Sequence, residues 1–463
     1  MTASRRGFGS YSATVVVVAL VGGCVFAGSS SPASASCPGA AAPAASAGLT
    51  GSDGSDLVIV GRIVTMDEPA EAEALLIEAG VVTCMGTRDE VMALAGDGVR
   101  VVDIGPNVAY PGFIDAHAHW IGDRDYYGVD SAEEAMDAAL SRGWTSISEQ
   151  WVNPERLDEL TALAADDALP IRVDAYLSLN FGDEFFGDWY TGQQRGPIGD
   201  RLRVQGLKIH LDDGAGAVIN WEPDDLTDTI GRADEAGWQV SVHSVSTEAQ
   251  DLVLDAFEAA IGPSGPNPLR HRIEHAIEVS DDQLVRMVAM DLVTVIHPDG
   301  VAGDWLQWND YMGQGDAYPP EQRGWLGRWK DFVDAGLHVA AASDAPWFFS
   351  DFVLADDVGR PVDDIAGGMD GRGREFPETP EWALDQLLTA EEGLHAATIG
   401  AAYALGDEAR RGHLAPGALG DVTILSGDVT HATADQVRAM TVVATIVGGV
   451  IEYCGEPEVC SQG

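Results

Sequence analysis

The sequence predicts an α/β protein: a (β/α)8 TIM barrel with a small β-sandwich domain formed from both ends of the mature chain. Three observations predict it. Eight short strand-like runs alternate with helical segments across residues 110–413, the pattern of a parallel sheet. Polar residues gather at the C-terminal ends of those runs, where such a barrel keeps its active site. Short β-rich runs broken by glycine stand at 56–109 and return at 414–455, so one small domain built from both ends accounts for them.

Taken in order, residues 1–35 read as a signal peptide and lie outside the fold. SRRGF at Ser4–Phe8 resembles a twin-arginine export signal, and the apolar run at 13–23 is short for a membrane span. LVGGC has the form of a lipoprotein box with Cys24 as the lipidated residue, whereas ASA at 33–35 offers an ordinary cleavage site. Either way the mature protein is exported, as a cell-surface lipoprotein or a secreted or periplasmic protein. Contact with a membrane is then expected only through an N-terminal lipid anchor. Residues 36–55, rich in Ala, Pro, Ser and Gly, read as a flexible linker. Order is expected to begin near Asp56.

The barrel strands are read as YPGFIDAHAH (110–119), WTSISEQW (144–151), IRVDAYLSL (171–179), VQGLKIHLD (204–212), WQVSVHSV (238–245), HRIEHAI (271–277), LVTVIHP (292–298) and LHVAAASDA (337–345). Several of the intervening helices open on capping-box patterns: Ser131 with Glu134, Ser280 with Gln283, Thr389 with Glu392. The alternation breaks at 180–203, which reads as a long loop.

Lys and Arg number 26 against 74 Asp and Glu, a net charge of −48. That excludes nucleic acid and anionic membrane surfaces as partners, because both need a basic patch; the charge reads as a solvated acidic surface. A small-molecule substrate is the expected partner, and a homo-oligomer is left open. Beyond Cys24, the cysteines are Cys37, Cys84, Cys454 and Cys460, all near the two ends of the mature chain. In an exported protein this permits disulfides, and any bridge is expected to tie the two ends together.

Chemistry concentrates at the strand ends. His117 and His119 close the first strand, Lys208 lies in the fourth, His243 in the fifth, His275 in the sixth, and Asp344 closes the eighth. Alternate residues of a strand share a face, so both first-strand imidazoles project together, and a barrel brings all six side chains to one place. Imidazole and carboxylate suit zinc or another divalent first-row ion. A lone strand histidine is ordinarily a core group, but two on one buried face would need two separate sets of partners. Lys208 is one of only two lysines in the chain. Buried beside cations it would be a neutral amine, able to capture carbon dioxide as a carbamate and bridge two ions. The competing reading is a structural lysine paired with Asp212 or Asp213. Asp344 in ASDAPW could instead cap a turn. His210, His297, Trp120 and Trp347 are candidates for the substrate pocket wall by position alone, and Asp115 is expected to position the two histidines. The remaining histidines are left as structural or surface groups.

PGFIDAHAH, GLKIHLDDG, VSVH, RIEHA and SDAP, in this order, resemble the metal-dependent amidohydrolase superfamily, in particular its amidohydrolase 3 branch, which contains N-substituted formamide deformylase-like proteins. The likeness runs from about Asp56 to about Tyr453. It implies a centre of two divalent ions, zinc being the expected metal: His117, His119 and Asp344 hold the buried ion, His243 and His275 the exposed one, and carboxylated Lys208 bridges them. The chain departs from the branch in carrying His297-Pro298 where Gln-Pro is common after the seventh strand, and SVST after His243. The implied reaction is hydrolysis of a carbon–nitrogen bond other than a peptide bond, in an amide, N-substituted formamide or cyclic amide, with Asp344 as base and then acid. The alternatives are ester, lactone or carbamate hydrolysis at the same site, or a non-catalytic ligand-binding surface lipoprotein.

Overall fold

In the computed structural model, the described residues are Cys37 and 56–461, apart from 214–217, 301–322, 348–358, 373–377 and 380. The expected signal peptide, Cys24 and the linker other than Cys37 lie outside the described residues. Eight parallel strands run Phe113–Ala118, Trp144–Val152, Arg172–Ser178, Leu202–His210, Gln239–Ser244, Arg272–His275, Val293–Ile296 and His338–Ala341, each paired with the next in chain order. Beyond the ladders, the His119 amide donates to the Ala345 carbonyl at 2.8 Å and the Asp344 amide to the His117 carbonyl at 3.0 Å. These bonds join the eighth strand back to the first and set Asp344 against His117.

Every expected barrel strand is present, and one is divided. Tyr110 and Pro111 end a strand of the small sheet, Arg100–Pro111, while the barrel strand starts at Phe113. Gly112 makes the turn between them: a Cβ there would lie 2.2 Å from Thr145 Oγ1, closer than any side chain can be packed. Ser131 caps its helix by accepting from the Glu134 amide, and Ser280 and Thr389 make full capping boxes with Gln283 and Glu392. Between the third and fourth strands there is no helix. Residues 180–203 hold a two-stranded hairpin (Asn180–Phe181 with Glu184–Phe185), a helical turn (Trp189–Gly192) and a short strand, Gly196–Ile198, antiparallel to the fourth barrel strand.

The small domain is one continuous seven-stranded sheet. Leu57–Val64, Glu71–Glu78, Val81–Gly86 and Arg100–Pro111 come from the N-terminal side, and Val422–Leu425, Val442–Val447 and Val450–Cys454 from the C-terminal side. The two sets meet where Val422–Leu425 runs antiparallel to Arg100–Pro111, with Ile424 opposite Ala109. Leu57, Ile59, Leu75 and Ile77 share one apolar core with Val422, Ile424, Val443 and Ile446, so burial holds the ends together.

The disulfides correct the expected end-to-end tie. Cys37 is bonded to Cys84 and Cys454 to Cys460, each within its own end of the chain. The short helix Pro457–Cys460 turns the chain back and brings the Cα atoms of Cys454 and Cys460 to 6.2 Å, within reach of a bridge. Among the described residues no helix is long and apolar enough to cross a membrane.

Candidate metal centre

Strand alternation delivers His117 and His119 to one face, as expected. Their Nε2 atoms are 3.3 Å apart, and Asp344 Oδ1 lies 3.2 Å from the first and 3.4 Å from the second. Ligands at about 2.0–2.1 Å from one tetrahedral zinc stand about 3.3 Å from each other, so the triangle already has the edge lengths of a coordination site. His275 packs against His117 with ring centroids 4.8 Å apart, and His243 against His275 at 4.4 Å. Lys208 Nζ lies 3.5 Å from His117 Nε2. The six candidate ligands therefore meet at one end of the barrel.

Left-handed backbone makes this convergence possible. Glu274 and His275 are neighbours in sequence, yet both reach His117, which a regular strand forbids because successive side chains point to opposite faces. His275 has φ +73° and Ala276 +45°, and Asp344 has φ +50°. Such conformations cost about 1–3 kcal/mol each in a non-glycine residue and gather at functional sites. Here they turn two candidate ligands inward.

Carboxylates stand behind three of the imidazoles, and the one behind His117 makes a hydrogen bond. His117 Nδ1 donates to Glu274 Oε2 at 2.6 Å, His119 Nδ1 faces Asp123 Oδ2 at 3.3 Å, and His243 Nε2 faces Asp212 Oδ1 at 3.4 Å. Proteins orient metal-binding imidazoles with such carboxylates. Burial lowers the pKa of His243 and His275 far below the usual imidazole range, and neighbouring imidazoles add to the effect. Burial would raise Asp344, but His117 and His119 outweigh it and keep the carboxylate ionised. His119 is raised: burial opposes its charge, but Asp344 and Asp123 more than compensate. Buried Asp344 Oδ1 and His275 Nε2 have no hydrogen-bond partner. The neutral His243 and His275 imidazoles and an ionised carboxylate, with orphaned inward atoms on His275 and Asp344, fit a divalent cation.

Lys208 is buried and its pKa falls to about 8, chiefly through desolvation. Its structural alternative is not realised. Asp212 instead accepts from the Val245 and Ser246 amides, and Asp213 from the Val218 amide.

The pocket-wall candidates separate. Trp120 is a correction: it is fully buried, donates to Asp115 Oδ2 at 3.0 Å and packs on Tyr127, so it supports the site from within the core. Asp115 likewise does not bond the imidazoles it was expected to position. It accepts from the Ser343 amide and hydroxyl at 3.0 and 2.6 Å, and so fixes the turn that carries Asp344. Trp347 is half-buried, lies edge-on to His119 with centroids 6.4 Å apart and donates to Asp123. His210 stacks on Phe181 and meets His243 edge-on at 4.3 Å. His297 sits among the imidazoles, 4.7 Å from His275.

Several supporting residues escaped the sequence reading. Glu274 also binds Arg272 and the Ser241 hydroxyl, and Arg272 reaches the Tyr176 hydroxyl. Glu149 accepts from the Ile121 and Gly122 amides at 2.9 and 3.2 Å, holding the loop after His119. A signal was available for Arg272 and Glu274: two opposite charges at alternate positions of a core strand must be paired.

A model described as the amidohydrolase family, Amidohydro_3, matches residues 123–453, well over half of the chain. The chain belongs to the amidohydrolase family. It is 25% identical over 349 residues to an N-substituted formamide deformylase of Arthrobacter pascens, a match covering 70% of this chain and 60% of that protein; the chain thus spans less than two thirds of this relative. Among solved structures, an uncharacterised metal-dependent hydrolase of Pyrococcus horikoshii matches with a TM-score of 0.66 at 19% identity, over 82% of this chain and 99% of that one. Atrazine chlorohydrolase from Arthrobacter aurescens, solved with zinc, matches at 0.60 and 16% identity, over 86% and 96%. These likenesses bear on the amidohydrolase fold.

Proposed function

We propose that this amidohydrolase-family chain is an exported, metal-dependent hydrolase that cleaves carbon–nitrogen bonds other than peptide bonds in a small-molecule substrate: an amide, an N-substituted formamide or a cyclic amide. The observation that carries the reading is the triangle of His117 Nε2, His119 Nε2 and Asp344 Oδ1, with sides of 3.2–3.4 Å. The relative named as a formamide deformylase supports the substrate class. His117, His119 and Asp344 would hold one ion and His243 and His275 a second, zinc in each case, with Lys208 as a carbamate between them. A bound ion supplies an acidified water and polarises a carbonyl.

The chain's own groups do the rest. Asp344 is kept ionised by His117 and His119, so it can take the proton of the attacking water and return it to the departing nitrogen. The Lys208 ammonium would lose a proton to solvent; the amine nitrogen would then bond the carbon of carbon dioxide as one C–O π pair moves onto oxygen, and a second nitrogen proton would leave to solvent to give the carbamate. Trp347 and His210 flank the reacting centre. Export rests on the SRRGF and LVGGC motifs, with Cys24 as the lipid acceptor.

The test is turnover of formamides, amides and cyclic amides by the zinc-loaded full chain, read by mass spectrometry of the released amine and acid. Activity that is lost on chelation and falls about 10²–10⁴-fold in Asp344→Asn supports the reading. A metal-loaded chain inactive on every C–N substrate, or active only on esters and lactones, overturns it.

A further inference from the structure

One more imidazole stands in the cluster. His297 directly follows the seventh barrel strand and is fully buried. Its ring lies 4.7 Å from that of His275 and 5.5 Å from that of His117. One ring nitrogen from each of His117, His275 and His297 falls within 4.8 Å of the other two, a looser grouping than the 3.2–3.4 Å triangle of His117, His119 and Asp344.

Its orientation is set from behind. His297 Nδ1 is 2.9 Å from the Ala342 carbonyl oxygen. A carbonyl only accepts, so the proton is on Nδ1 and Nε2 keeps a lone pair. His117, backed by Glu274, is built alike, with an acceptor behind and the other nitrogen left for an ion. The neighbouring His210 is built the other way: its Nδ1 accepts from the Gly182 amide at 3.0 Å, which puts the proton on the outer nitrogen. The two histidines first read as pocket wall therefore present opposite faces to the site.

We propose that His297 is a metal ligand, joining His275 at an ion beside the His117–His119–Asp344 triangle, whose own ion takes the one free nitrogen of His117; this rests on the metal-centre reading above. Neutral nitrogen ligands favour zinc, cobalt, nickel or copper over magnesium or manganese, so the site would discriminate by ion class.

The test uses the full chain and two variants. His297→Asn places an amide nitrogen where Nδ1 stood, keeping a donor for Ala342 and removing only Nε2. His297→Gln leaves a weaker oxygen donor near Nε2. Bound zinc per chain, zinc affinity against a competing chelator, and the visible spectrum of the cobalt form are read alongside circular dichroism. The proposal expects His297→Asn to stay folded, to lose one ion or bind it at least about 100-fold more weakly, and to change the cobalt spectrum, with His297→Gln intermediate. A folded His297→Asn that keeps wild-type stoichiometry, affinity and cobalt spectrum overturns it while leaving the metal centre standing. A wild-type chain that takes up no zinc or cobalt overturns both.

Discussion

His117 Nδ1 and Glu274 Oε2 lie 2.6 Å apart, both shielded from solvent. Burial would push the Glu274 carboxyl up, but Arg272 holds it well below the usual range, so Glu274 is ionised and can only accept. That fixes the His117 proton on Nδ1 and frees Nε2 for a metal. Glu274→Gln should permit the amide to donate instead and reverse the imidazole. Metal affinity is expected to fall about 10–100-fold in a folded chain, measured by competition with a chelator. Unchanged affinity would reduce Glu274 to a partner of Arg272.

Lys208 gives a pH dependence. Its pKa is lowered to about 8, so the ammonium dominates below that pH and the amine above it; only about a tenth is amine at pH 7. Carbamate formation needs the amine, so uptake of carbon-13-labelled bicarbonate by the metal-free chain should rise through pH 8, read as a new carbamate resonance. Lys208→Met should abolish the signal. A resonance surviving in Lys208→Met would belong to another amine.

Arg411 tests the far end of the barrel. It bonds Asp174 through both terminal nitrogens, at 2.8 and 3.2 Å, and Asp407 through Nε, all buried. Arg411→Met strips Asp174 of one of two cationic partners, leaving Arg203, and should cost about 3–5 kcal/mol in urea unfolding. The Asp174 pKa is depressed to about 2: burial would raise it, but Arg203 and Arg411 outweigh burial. Its contribution is therefore present above the unfolded value near 3.8 and is lost as pH falls through about 2. The variant should accordingly lose less stability than the parent between pH 4 and pH 2, and an equal loss would argue against the pair.

The legible parts of this molecule are those governed by a period. Alternation placed His117 and His119 on one face, and the recurring strand runs matched all eight barrel strands. What stayed hidden depends on departures from period or on long-range packing. Nothing in RIEHA announces that His275 takes φ +73° and so joins Glu274 in facing His117. Trp120 follows the histidines in sequence, yet the chain turns after His119 and the indole enters the core against Asp115. The cysteine pairing was equally hidden, because the short helix that folds Cys460 back toward Cys454 is set by local backbone geometry.

His210 separates substrate contact from metal binding. The Gly182 amide occupies its Nδ1, the ring stacks on Phe181 at an interplanar angle of 10°, and burial, aided by Lys208, lowers its pKa to about 3. It is therefore neutral near pH 7, with its proton on Nε2, a fixed hydrogen-bond donor beside His243. Replacing it with phenylalanine preserves a ring to stack and removes the donor. His210→Phe should keep the wild-type metal content and lose roughly tenfold in kcat/KM, the worth of one neutral hydrogen bond. Because the imidazole does not titrate between pH 6 and 8, the loss should be equal at both. Metal loss in His210→Phe would make it a ligand, and unchanged kcat/KM would remove it from the substrate's surroundings.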